Sequence, residues 1–378
     1  MQSKLPATGT TIFTVMSHLA ATHQALNLGQ GFPGFPIDPE LIRLVEKAMR
    51  DGHNQYAPMA GWMPLREKLA EKAEGLYGTP INPETDITIT AGATQAIFTA
   101  ITALIHPGDE VILFAPAYDC YAPAVQLCGG IPKWVNLSWP DFAIPWDQVE
   151  VMITPRTRMI LLNNPGNPAA TVWPAEDLQR LHQLTQHTDI ILLSDEVYEH
   201  LVFDEHTHES VLKFPELYKR SIAVFSFGKT FHATGWKLGY AIGPAVLMAE
   251  FRKVHQYNVF SVNTPAQVAM ATYLEDQERY LSLSAFYQRK RDLFLSGLVG
   301  SRFRWKPAQG TYFQLLSFRE LSDADEQPVA EDWTSRHGIA SIPVSAFYPD
   351  QRNQSILRFC FAKEDDVLEK AADILRIL

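Results

Sequence analysis

The sequence predicts an α/β fold, a mostly parallel sheet buried on both faces, joined to a smaller α+β unit. Three observations predict it. Short, nearly continuous apolar runs alternate with helical segments, the pattern of a parallel sheet covered on both sides. Polar residues gather where those runs end: Thr94, Asn163, Asn167, Asp195, Ser226 and Lys229. After about Pro265 the alternation gives way to long amphipathic helices and two further strand-like runs.

The elements follow in order. Asn27 to Pro36 is too rich in Gly and Pro for a regular element. Asp38-Pro39 opens a helix with Leu41, Ile42, Val45 and Met49 on one face. A second helix spans about 64–74. Ile87 to Thr90 is a strand, and the turn Ala91-Gly-Ala-Thr94 leads into an apolar helix to Ile105. Val111 to Ala115 is a strand closed by Pro116. Arg158 to Leu162 is another, closed by Asn163-Asn-Pro-Gly-Asn-Pro168. A helix spans about 174–187. Ile190 to Leu193 is a strand running into Ser194-Asp-Glu196, and Ile222 to Phe225 runs into Ser226-Phe-Gly-Lys-Thr230. Leu238 to Ile242 follows. Beyond the helices, Thr311 to Leu316 and Ile356 to Phe361 read as strands, and a helix from Asp365 closes the chain. The expected division is 1–38, an N-terminal segment packing with the smaller unit; 39–270, the large domain; and 271–378, the small domain. No internal repeat is present.

Composition narrows the function. Of 378 residues, 46% are hydrophobic and 20% charged, an ordinary globular balance. Lys plus Arg is 32 against 42 Asp plus Glu, a net charge of −10, so neither nucleic acid nor an anionic membrane is an expected partner. Three cysteines, Cys120, Cys128 and Cys360, make no disulfide framework and lack metal-ligand spacing, which fits a reducing compartment. Residues 1–19 do not read as a secretory signal, and no apolar run approaches the ~20 residues of a membrane span. A cytoplasmic protein is expected.

Common motifs fail on context. Gly29-Gln-Gly-Phe-Pro-Gly34 has the letters of a dinucleotide fingerprint, but Pro33 and Pro36 break the helix it requires and no strand precedes it. Gly228-Lys-Thr230 resembles the end of a phosphate-binding loop, yet the first glycine's position is Ala223, inside a strand-like run. His206 and His208 with Asp204 and Glu205 read as an exposed turn, not a metal site.

The chemistry lies elsewhere. Lys229 sits at a strand exit between Ser226 and Lys237, a grouping suited to a phosphorylated ligand. The amides at 91–94 open a helix and offer an anion site. Asp195 ends an apolar strand, where a carboxylate needs a partner; a protonated ring nitrogen is a natural one. Together these describe the protein side of a pyridoxal phosphate site, with lysine for the Schiff base and an acid on the pyridinium.

Ser226-Phe-Gly-Lys-Thr-Phe-His-Ala-Thr-Gly-Trp-Lys-Leu-Gly239 resembles the Schiff-base lysine region of fold-type I aminotransferases. Asn163 to Pro168, Ser194-Asp-Glu-Val-Tyr198 and Arg358-Phe-Cys-Phe361 resemble three further motifs of that family, in the same order. Asn27-Leu-Gly-Gln-Gly-Phe-Pro33 and Asn54-Gln-Tyr56 are similar to its kynurenine, glutamine and methionine aminotransferase subgroup. The resemblance implies a seven-stranded sheet in the large domain, pyridoxal 5'-phosphate as cofactor, and a homodimer. It implies that Lys229 carries the cofactor and shuttles the substrate α-proton, and that Asp195 pairs with the ring nitrogen. Tyr198 and Asn167 would bond the ring's phenolate oxygen, and Tyr118 would stack on the ring. Ala93, Thr94, Ser226 and Lys237 would hold the phosphate, with Tyr56 arriving from the partner subunit. Arg358 would clamp the substrate carboxylate, helped by Asn167, and the Gly31 backbone would lie beside the substrate. Two departures stand out. Lys237 occupies a position often arginine in the family. Ala170 replaces a glycine that commonly ends the Asn-Pro motif, so a local loop difference is expected.

The implied reaction moves an amino group from an amino acid to a 2-oxo acid by ping-pong kinetics. A dicarboxylate would need a second cation, which the subgroup resemblance does not supply, so large neutral side chains are expected. Phe13 is placed near the substrate. Sulfur packs well on aromatic rings, and the subgroup includes bacterial methionine aminotransferases, so methionine is favoured over aromatic amino acids, glutamine and kynurenine. The rival enzyme reading is a cysteine-conjugate or cystathionine-type β-lyase on the same cofactor. A non-enzymatic effector-binding regulator is the reading from another class.

Overall fold

The computed structural model describes residues 2–6 and 8–378. Its strands are β1 Leu26–Asn27, β2 Ile87–Thr90, β3 Glu110–Ala115, β4 Ile131–Asn136, β5 Thr157–Asn163, β6 Ile191–Asp195, β7 Ser221–Ser226, β8 Gly239–Ile242, β9 Phe313–Ser317, β10 Ile339–Ala340, β11 Ile342–Pro343 and β12 Ile356–Cys360. Seven form the central sheet in the order β2-β8-β7-β6-β5-β3-β4. Strands β4, β3, β5, β6 and β7 are parallel to one another; β8 runs against both its neighbours, β7 and β2.

The apolar runs are explained by burial on two faces. Along β3, Val111 and Leu113 pack on one side with Ala96, Ile97 and Ile101 of the helix Ala93–Leu104, while Ile112 and Phe114 join the core on the other. Every residue of β2, β3, β6 and β8 is buried. The central-sheet strand absent from the residue-level reading is β4, and the two-residue strands β1, β10 and β11 are unread as well. Strand β4 lies at the sheet edge with its first residue exposed and carries Pro132, which an edge strand tolerates.

Helix Pro39–Arg50 forms where expected, with Asp38 capping it by accepting from the Glu40 amide. Its buried face is different. Leu41, Leu44 and Ala48 point inward toward the helix Thr264–Tyr273, whereas Ile42 and Met49 are each 48% exposed.

Three antiparallel strands, β11-β12-β9, form a second sheet, and β1 pairs in parallel with β10. The chain after β1 then crosses toward the large sheet, carrying Gly29 and Gly31 over the strand ends where the polar residues collect. Among the described residues, no helix is long and apolar enough to cross a membrane.

Candidate active site

Strands β5, β6 and β7 are in register, so Asn163 lies beside Asp195 at their carboxyl ends. Ligands on open parallel sheets bind outside these ends. Asn163 fastens the following loop: its side-chain oxygen accepts from the Asn167 amide (2.7 Å), and its amide group donates to the Asp195 carbonyl (2.9 Å). Ala93, Thr94, Tyr118, Asn167, Asp195, Tyr198, Ser226, Lys229 and Lys237 line one cavity here. Gly31 and Arg358 reach the same residues from the small-sheet side. Arg358 donates to Asn167 Oδ1 (2.6 Å) and to the Gly29 carbonyl (3.0 Å), and Lys229 Nζ donates to the Gly31 carbonyl (3.1 Å).

Lys229 is presented on a tight turn. Ser226 ends β7 and caps the short helix Phe227–Thr230 by accepting from the Lys229 amide. Gly228 permits the turn, because a Cβ there would sit 3.0 Å from Thr234 Cα. Burial, reinforced by Arg358 and Lys237, brings the Lys229 amine down to about 8. A substantial fraction is then neutral near physiological pH, as a proton acceptor must be.

Asp195 is 4% exposed. It accepts from the Tyr121 hydroxyl (2.6 Å) and, more weakly, from the Val197 amide (3.4 Å). Burial outweighs these donors and the nearby Lys229, and raises the carboxyl to about 6. The folded chain therefore holds this proton more tightly than the unfolded chain, whose carboxyl titrates near 3.8. Stability without cofactor falls as pH rises from about 4 to about 6 and stays low above that. Cofactor-free Asp195→Asn is expected to be more stable than the parent at pH 7.5 by roughly 3 kcal/mol, a gain that shrinks toward pH 4. Denaturation of both proteins at the two pH values checks it; an equal difference at both would exclude the mechanism.

The opposite wall suits an anion. Gly92, at φ +82°, precedes the helix Ala93–Leu104 and no side chain caps it, so the first amides face the cavity. Lys237 adopts a left-handed conformation, φ +52°, and a Cβ on Gly92 would lie 3.6 Å from its ammonium. Gly239 lets β8 close in, since a Cβ there would meet the Phe225 carbonyl at 2.6 Å. Arg358 is 1% exposed, and its Nε is buried without a partner. Burial lowers its pKa to about 10, which leaves it charged at neutral pH. The site thus offers an amine, an anion cradle, a carboxylate seeking a cation and a guanidinium seeking an anion. These residues fit pyridoxal phosphate and an amino acid carboxylate.

Rings enclose the guanidinium. Phe313 lies 3.8 Å from Arg358 Cζ, Phe347 5.2 Å and Phe13 5.3 Å, and Phe13 meets Phe347 edge to face. Gly31 is confined by the same cluster, because a Cβ would stand 2.9 Å from the tip of Phe313.

Behind Tyr198 lies a buried ionic cluster. Lys72 Nζ donates to Glu199 Oε1 (2.6 Å) and to the Tyr240 hydroxyl (3.1 Å), while Tyr77 donates to Glu199 Oε2 (2.5 Å). Burial works to raise the Glu199 carboxyl, but Lys72 and His200 overcome it and hold the group well below the usual range.

Tyr56 is not part of this cavity. It is 80% exposed and packs edge-on against Phe260. Ala170 takes the left-handed φ of +57° that suits glycine, its amide donating to the Gly166 carbonyl. Two contacts were not read from the sequence. Tyr121, on Asp195, stands three residues after Tyr118, at the start of the helix Tyr121–Leu127, and its nearness to Tyr118 was the available signal. Tyr312, whose hydroxyl accepts from Lys229 Nζ at 3.0 Å, sits in an apolar strand-like run with no distinguishing mark.

The profile of aminotransferase class I and II matches residues 23–375. Over its full length the chain is 49% identical to methionine aminotransferase of Escherichia coli, covering 98% of that protein. The solved structure of E. coli YbdL, identified as a methionine aminotransferase, superposes with a TM-score of 0.98, covering all of this chain and 99% of that one. N-Succinyldiaminopimelate aminotransferase from Mycobacterium tuberculosis follows at 36% identity and TM-score 0.95, covering 100% and 99%. Kynurenine–oxoglutarate transaminase of Dictyostelium discoideum is 33% identical, covering 97% of this chain and 94% of that protein.

Proposed function

Because the chain belongs to the class I and II aminotransferases, enzymes that work with pyridoxal phosphate, we propose that it transaminates large neutral amino acids, methionine foremost. The observation that carries this reading is the surroundings of Arg358. Three phenylalanine rings enclose the guanidinium. The adjoining cleft includes Asp119, Asp325, Glu326 and Glu331 among its described lining residues, and no lysine, arginine or histidine. A substrate side chain that was itself anionic would find no cation there. The kinship to a methionine aminotransferase supports the choice within the neutral set.

When bound, the cofactor supplies an electron sink for the charge left on the substrate Cα. The chain's residues do the rest. Arg358 and Asn167 fix the substrate carboxylate, which sets the orientation of the α-hydrogen. Lys229 moves the α-proton. Asp195, with Tyr121 donating to it, would pair its negative charge with the cofactor's ring nitrogen. The amides of Ala93 and Thr94, with Ser226 and Lys237, would hold the phosphate, Tyr118 would stack on the ring, and Tyr198 and Asn167 would bond its phenolate oxygen. The donor leaves as a 2-oxo acid before the acceptor oxo acid enters.

The enzyme works as a homodimer in which Tyr56 reaches the partner's phosphate site. The exposure of Tyr56, Tyr257 and Phe260 supports such an interface. Residues 39–270 form the cofactor domain and 271–378 the small domain, onto which the first 38 residues fold. Unpaired cysteines are in keeping with work in the cytoplasm.

A single-turnover panel tests the substrate class. Purified holoenzyme is mixed with one amino acid at a time, following the cofactor's absorption, the 2-oxo acid and ammonia. Rapid conversion is expected with methionine and aromatic amino acids, slow conversion with aspartate, and no ammonia. Faster conversion with aspartate overturns the neutral pocket. Pyruvate and ammonia released without an acceptor would return the assignment to β-elimination, which the relatives do not favour.

A further inference from the structure

Tyr312 is completely buried at the start of the small sheet, and nothing in the reaction described so far uses it. Its ring is held by Phe313 (4.9 Å between centroids), Tyr198 (5.2 Å) and Tyr287 (5.9 Å). Its hydroxyl donates to the Gly31 carbonyl at 2.6 Å. That bond spends the phenol's one proton and leaves its lone pairs as acceptors. Lys229 Nζ lies 3.0 Å from the oxygen and 3.1 Å from the same carbonyl. Burial keeps the phenol protonated well past neutrality, so the direction of these bonds is fixed. Lysine is a flexible point charge on four carbons. A free amine on such a stem needs a fixed acceptor if it is to act from one place.

We propose that Tyr312 is a positioning residue for Lys229: its hydroxyl, anchored on the Gly31 carbonyl, receives the lysine amine whenever that amine is free and aims it for proton transfer at the substrate Cα. The inference rests on the reading of Lys229 as the group that moves the α-proton. Two hydrogen-bond acceptors then define the amine's position, and Gly31 serves through its carbonyl as well as through its lack of a side chain.

Tyr312→Phe removes the one oxygen and keeps the ring. Two readouts are taken on full-length protein. The first is the single-turnover rate with α-protonated and α-deuterated methionine. The second is the pH dependence of Lys229 acetylation in the cofactor-free chain, followed by mass spectrometry. The rate is expected to fall about 10- to 100-fold, with a larger deuterium effect and unchanged substrate affinity. The acetylation midpoint is expected to move about one unit lower, because the ammonium loses an acceptor. A rate within twofold and an unmoved midpoint overturn the proposal. If Tyr312→Phe does not accumulate as folded protein, Tyr312→Leu, which also removes the hydroxyl and leaves an apolar side chain, carries the same comparison. Lys229→Ala separates the two ideas. Should it retain proton transfer, the reading of Lys229 fails; should it be inactive while Tyr312→Phe behaves as the parent, only the role of Tyr312 fails.

Discussion

Lys229→Ala is expected to lose transamination by about 10³–10⁴-fold while still taking up pyridoxal phosphate. The cavity keeps its anion cradle, Asp195 and Arg358, none of which depends on the lysine for its placement. What disappears is the amine poised near 8 beside the Gly31 carbonyl. No neighbour replaces it: Lys237 lies against Gly92 on the opposite wall, and the Tyr312 and Tyr198 phenols are held protonated by burial. Stopped-flow single turnovers measure the loss, and a small primary amine added to the variant should restore part of the rate. Retention of the rate within tenfold of the parent would remove Lys229 from the mechanism.

The second large effect is on stability. Lys72→Met is expected to cost about 3–5 kcal/mol, because it leaves the Glu199 carboxylate in the interior without its ammonium, with two phenols and the His200 ring for partners. The thermal midpoint should fall by about 5–10 °C. Lys72→Met combined with Glu199→Gln should recover much of the loss, since the charge departs with its partner. Equal melting of Lys72→Met and parent would show that the pair carries no such weight. Activity should decline in Lys72→Met more than melting alone explains. Glu199 directly follows Tyr198 and lies four residues beyond Asp195, so a displaced carboxylate pulls on the turn that carries both.

The sheet and most of the site were legible because a polar residue at the end of an apolar strand has little else to do. Asp195 after Ile191 to Leu193, and Lys229 after β7, stood out for that reason, and the cavity does gather them. Edge and surface positions were harder. Strand β4 was unread because an edge strand with Pro132 lacks the apolar run of its neighbours. The face of the helix Pro39–Arg50 was misread because Ile42 and Met49 are apolar yet exposed. Apolar character alone does not report burial, since much of a folded surface is apolar. Tyr121 and Tyr312 escaped for the opposite reason: a buried phenol looks like core until its hydroxyl's partner is known. At Ala170 the backbone is left-handed with a methyl group attached, at a cost on the order of 1 kcal/mol.

Gly31 and Phe313 constrain each other's history. With a ring at 313 laid over Arg358, position 31 has no room for a methyl group. A side chain at 31 would have to displace the Phe313 ring, and that shift loosens the nearest of the three rings that cover the guanidinium. The two sites therefore change in a preferred order, and a drift toward other substrates that begins at 313 opens a path that one beginning at 31 finds closed.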